Sequence, residues 1–146
     1  MSLENIRQIS SKRFADFTGL PNTAKFYPNL KEPVIPASGV WARFRIMPVM
    51  RYTAGISNKP CTRQNGSIVI ELYTRLDEGT AKITKIADDL QAWFDYFQQE
   101  NLWCGACETY YDGRAETNDA MGQQVLTGTV VYAVRVYVPF EYDEHN

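Results

Sequence analysis

Cys104-Gly-Ala-Cys107 is the one short motif in this 146-residue chain whose spacing suits thiol chemistry. A redox dithiol needs one cysteine at a helix N-terminus, where the thiolate is stabilised. Here the pair follows a helical pattern and leads into a strand pattern, which is the wrong setting. A zinc site could combine Cys61, Cys104, Cys107 and His145, drawing on a distant loop and on the end of the chain. The plainer expectation is small buried or edge residues with reduced thiols, because three cysteines are an odd set without disulfide-framework spacing. His145 is the sole histidine, so a Cys-His or Ser-His dyad would rest on the last residues of the sequence. Asp88 and Asp89 are adjacent on a helical pattern, and their side chains diverge into solvent. Asp112, Glu116 and Asp119 share a polar stretch, but their spacing is not that of a calcium loop. The sequence has no glycine-rich phosphate loop and no metalloprotease helix motif. The expectation is a chain without catalytic residues, metal or cofactor, with a cysteine- or zinc-dependent enzyme as the alternative.

Charge is unevenly spread. The net charge of −2 gives no bulk attraction to nucleic acid. Arg43 and Arg45 beside Trp41 could suggest a nucleic-acid face, but they also fit a strand with a charged outer side. Between Glu32 and Glu71 there is no acid, while Arg43, Arg45, Arg51, Lys59 and Arg63 all fall there. From Asp95 onward acids dominate, with only Arg114 and Arg135 among them. This is either a chance arrangement of solvated loops or two oppositely charged patches. Such patches suit head-to-tail contact between identical subunits, which closes rings.

The elements that must position these residues are legible from periodicity. Residues 66–97 read as strand, polar turn and amphipathic helix. Ile83, Ile86, Ala87, Leu90, Trp93, Phe94 and Phe97 form one apolar stripe, with the helix reaching about Gln98. A stripe of that size needs a sheet to cover it. Residues 3–17 predict a first helix, with Ser2 as N-cap and Leu3, Ile6, Ile9, Phe14 and Phe17 as its apolar face. Prolines at 21, 28, 33 and 36 make 21–40 a loop, with an extended piece at Lys25–Tyr27. Residues 40–49 predict a strand with Phe44 and Ile46 inward and Arg43 and Arg45 outward. Residues 50–65 are either a continuation of the strands as a long hairpin or an arm that orders on a partner. Residues 67–75, 102–111 and 125–138 predict further strands, with a second polar loop at 112–123 and a mobile polar tail after Pro139.

The fold expected is a single α+β domain spanning 1–146. It has a mixed, mainly antiparallel sheet, two helices packed on one face and long loops between strands. No apolar run is of membrane-spanning length, and Met1–Arg7 has no apolar core of a secretion signal. The chain is therefore expected to assemble in the cytoplasm.

Several stretches together resemble the tail terminator (tail completion) proteins of lambda-type siphophages and their prophage relatives. They are the N-terminal helix with Ile6-Arg7, the Trp41-Ala42-Arg43 strand after a proline-interrupted segment, and Arg63-Gln-Asn-Gly-Ser-Ile-Val-Ile-Glu-Leu-Tyr73 running into Asp77-Glu-Gly-Thr80. The helix with Ile86-Ala-Asp-Asp-Leu90 and the terminal Val/Tyr strand complete the likeness. The cysteine pair is not part of it. The resemblance implies a non-enzymatic protein of the virion tail. It would form a hexameric ring in equilibrium with monomer, cap the tail tube and end its polymerisation. It would also offer a surface to a head-completion or neck protein. DNA would pass through the ring only in transit, and no membrane would be involved. Another neck or tail tube component is the alternative within the same class. Arg43, Arg45, Arg51, Lys59, Arg63, Asp112, Glu116 and Asp119 are the expected subunit-interface residues. Within that set, Arg51, Lys59 and Arg63 are expected to meet Asp112, Glu116 or Asp119 of a neighbour.

Overall fold

The computed structural model describes residues 2–28, 38–55, 60–75, 79–116 and 130–145. In chain order the elements are α1 (Ser2–Ala15), β1 (Lys25–Phe26), β2 (Trp41–Ala54), β3 (Cys61–Arg75), α2 (Ala81–Phe94), β4 (Gln98–Gln99), β5 (Leu102–Cys104), β6 (Glu108–Glu116) and β7 (Val130–His145). The strands form one sheet in the order β1-β2-β3-β7-β5-β4, with β6 also paired to β7. The β1–β2 pair is parallel and all others are antiparallel. This is the expected α+β class.

Both helices lie on one face of the sheet. Ile6, Ile9 and Phe14 of α1, and Ile83, Ala87, Leu90 and Phe94 of α2, join Phe44, Ile68, Ile70, Val134, Val136 and Val138 in one buried cluster. Alternation along each strand puts those sheet residues on the helix side. The other side has its own small cluster of Trp41, Tyr73, Val131 and Ala133. Arg43, expected on a solvated outer face, is therefore buried at 2% exposure, because this end of the second face is covered as well.

The two helices are clasped by one arginine. The Arg13 guanidinium lies 3.7 Å from the centre of the Trp93 ring and 4.3 Å from that of Phe97. It donates to the Trp93 carbonyl, and Trp93 Nε1 donates back to the Arg13 carbonyl at 2.8 Å. This cation–π stack fixes a helix whose apolar stripe is irregular. Leu3, expected on that stripe, is exposed instead. At the C-terminal end of α1, the Lys25 ammonium bonds the carbonyls of Ala15 and Phe17 and the side chain of Asn22. A cation there satisfies carbonyls that the helix leaves open.

α2 stops at Phe94, not near Gln98. Asp95 N still reaches the Gln91 carbonyl at 2.7 Å, but Tyr96 takes a left-handed φ of 56° and bonds Gly105. Asp95 Oδ1 accepts the Cys107 amide at 2.7 Å and holds the returning chain against the helix end. The expected strand at 102–111 is split there into β5 and β6 by residues 105–107.

The hairpin reading of 50–65 holds on both sides of residues 56–59, because β2 and β3 pair continuously out to Ala54↔Cys61. A bulge at Val49 shifts the register between Pro48 and Met50. Opposite it, a Cβ on Gly66 would press 2.9 Å from Pro48 Cα, so only glycine fits. The start of the expected loop 112–123 belongs to β6, which passes through a bulge at Asp112 and pairs to Glu116↔Val130. Residues 117–123, and 125–129 of the expected last strand, lie outside the described residues.

Residues 140–145 are not a mobile tail. They complete β7, pairing with Cys61–Gly66 of β3 and, through residues 140–142, with β5. Pro139 does not end the strand because it falls where β7 passes from β6 to β5. Its carbonyl accepts the Gly105 amide at 2.9 Å. A strand residue's N and C=O point to the same neighbour, so the missing N–H faces this break and no ladder bond is lost. Phe140 and Tyr142 then alternate inward.

Candidate assembly surface

The basic and acidic segments of the sequence meet inside the monomer. Register makes Arg63 and Asp143 direct cross-strand partners. Arg63 Nε donates to Asp143 Oδ1 at 2.7 Å and a terminal nitrogen donates to Oδ2 at 3.0 Å, a fork-to-fork pair. That bond raises the Arg63 pKa further. Glu141 stands 3.8 Å from the same guanidinium, and Glu144 stands 3.8 Å from Arg51. Arg45 Nε donates to Glu71 Oε1 at 3.0 Å, and Arg135 pairs with Asp112. The Arg43 pKa is lowered by burial, with Tyr73 and Glu71 acting against it. Tyr73 donates to Glu71, and burial, then that carboxylate, pushes the phenol well above its usual range.

The expected interface residues therefore divide. Arg45, Arg63 and Asp112 hold partners of their own chain, and so does Arg51, loosely, while Arg43 is core. The backbone of Glu116 ends β6. Lys59 and Asp119 lie outside the described residues. The segregated charges bind the β2–β3 hairpin to the end of β7, because antiparallel pairing brings those two stretches side by side.

Among the described residues, several large apolar side chains are exposed. Beyond Ile46, β2 presents Met47, Val49, Met50 and Tyr52 to solvent, with Val49 71% exposed. At the opposite side of the sheet, β6 presents Tyr110 and Tyr111. An open groove of about 860 Å³ runs between α1 and β2, lined by Leu3, Tyr27, Phe44, Ile46 and Pro48, with Arg7 and Lys12 at its rim. Sequence reasoning missed these residues. The signals were there: an apolar run continuing past Pro48, and a Tyr-Tyr doublet in which alternation sends one ring to each face.

Cys61 is placed apart from Cys104 and Cys107. Cys61 opposes His145, whereas Cys104 opposes Phe140. Five residues along β7 separate those positions by about 17 Å. Burial pushes the Cys104 thiol up to about 12, and burial together with Asp95 pushes Cys107 well above the usual thiol range. Among the described residues no group of three or more His, Cys, Asp or Glu is placed to hold a metal ion. Nor is any helix among them long and apolar enough to cross a membrane.

No protein-family model matches the chain, and no curated protein does. Six chains of solved structures match it. One of them, whose name states no function, aligns over 100% of this chain and 99% of its own, with a TM-score of 0.63 and 19% sequence identity. At that identity the likeness is one of fold, and it extends over the whole chain.

Proposed function

We propose that this chain is a structural assembly protein of a long phage tail. Copies of it form a ring that caps the tail tube, ends tube polymerisation and provides the surface to which the head joins. The observation that carries the reading is the far half of β2, where Met47, Val49, Met50 and Tyr52 stand in solvent on the outer strand of the hairpin. A contiguous exposed apolar strip of this kind marks a protein contact. The sequence likeness to tail terminators supplies the class of that contact. The ring would be hexameric, with the tail tube protein on one side, a head-completion protein on the other and DNA passing through its channel.

Electron microscopy of tails assembled with and without the chain tests this. Tubes of uniform length with the protein and overlong tubes without it are expected. Absent or shortened tubes without it would instead identify a tube subunit, and normal tubes with unattached heads a neck component. Either result would overturn the terminator reading.

A further inference from the structure

We propose that the ring closes by sheet extension. β6 of one copy pairs antiparallel with the free edge of β2 of the next, and Tyr111 of the first seats in the α1/β2 groove of the second. The proposal rests on the ring reading above and names the surfaces that meet.

Four observations converge. First, the sheet has two open edges. β1 covers β2 only at Ala42 and Arg43, and β6 pairs with β7 alone, so among the described residues the outer edges of β2 from Phe44 onward and of β6 carry no strand. Open edges are templates for pairing unless something covers them. Second, the directions fit. β2 and β7 both run antiparallel to β3, and β6 runs antiparallel to β7, so β6 and β2 point in opposite directions. Copies related by ring rotation about an axis along the strands keep those directions. The new pair is then antiparallel, the commoner and slightly more stable ladder.

Third, the faces fit. Tyr111 opposes Val134, whose side chain belongs to the helix-side core, and Tyr110 opposes Arg135 on the other face. Phe44 and Ile46 of β2 are also on the helix side and line the groove. In a continued sheet Tyr111 therefore enters the groove, while Tyr110 and Glu108 run along the Arg45 side. A one-residue slip would reverse both, so the arrangement is specific. Fourth, the two edges carry different side chains. Past Ile46, β2 offers Met47, Val49, Met50 and Tyr52, while β6 offers Tyr110 and Tyr111. The two edges differ from one another, which makes the contact head-to-tail and lets it close.

Two exposed residues test it. Leu3 is 53% exposed at the groove and Tyr111 is 58% exposed on β6. Leu3→Asp places an acid in the first turn of α1, which the helix favours, and Tyr111→Asp alters a solvent-facing ring. Unchanged circular dichroism and melting are expected for both. Each variant alone should associate more weakly than wild type by more than about tenfold. An equimolar mixture should form a dimer and stop there, because the groove of the Tyr111→Asp chain and the β6 edge of the Leu3→Asp chain remain intact. Variants that form rings like wild type, or a mixture that stays monomeric, would overturn the edge pairing and leave the ring reading standing. A wild-type chain that forms no ring, alone or with tail tubes, would instead remove the reading on which the pairing rests.

Discussion

Asp143 is the residue on which the end of the chain depends. It is buried, and two bonds from Arg63 fix it across the β3–β7 pair. A carboxylate in that position is held by its charge and geometry, so the neutral isostere loses the strong part of the bond. Asp143→Asn is expected to lower the thermal unfolding midpoint clearly more than Arg51→Gln, because Arg51 is more than half exposed and its partner Glu144 is 3.8 Å away. Differential scanning calorimetry of the two variants checks the order. Cys104 sets a second expectation, at alkaline pH. Its thiol is raised from an ordinary 9.0 to about 12 by burial. In the unfolded chain the thiol ionises first, so thiolate formation favours unfolding between those values. The Cys104 contribution is complete below pH about 9 and declines as pH rises toward 12, a loss that Cys104→Ala should not show. At pH 8 the folded thiol should react with a disulfide reagent far more slowly than the same thiol in denaturant.

At the scale of elements, the sequence and the structure part at identifiable places. The strand–turn–helix unit was legible because its apolar spacing is strong. Ile68, Ile70 and Leu72 face Ile83, Ala87 and Leu90 as the two periods require. The end of α2 was not legible, because Phe97 continues the stripe in one dimension while Tyr96 has already turned left-handed. The last strand was cut short at Pro139 because proline rules assume that every strand position needs its N–H. The β5/β6 break that frees this position comes from distant residues. Among the candidate interface residues, charge segregation was legible as a pattern, but the partners that Arg45, Arg51, Arg63 and Asp112 find within the chain were not, since pairing register cannot be counted from one strand alone. The strand reading of the chain end gives a sharp expectation. Deleting residues 140–146 removes Phe140, Tyr142 and Asp143, all buried, and uncovers β3 from Cys61 to Gly66. That truncation should abolish cooperative unfolding, whereas a mobile tail would be dispensable. Denaturant titration of the truncated chain decides it.

For the whole molecule, the helices cover one face of the sheet, and among the described residues two of its edges and an apolar groove are left to solvent. The internal ion pairs stiffen the β2–β3 hairpin against β7, so the exposed strip is presented on a supported strand. A rigid surface with two unlike edges is suited to closed assembly, because little order must be gained on binding. The measurement closest to this claim is the mass of the purified chain by sedimentation over a wide concentration range, repeated with isolated tail tubes present. The expected result is a reversible passage from monomer to a single closed ring, with no larger species as concentration rises. A chain that stays monomeric at about millimolar concentration and beside tube ends, or one that grows into open filaments, would contradict it.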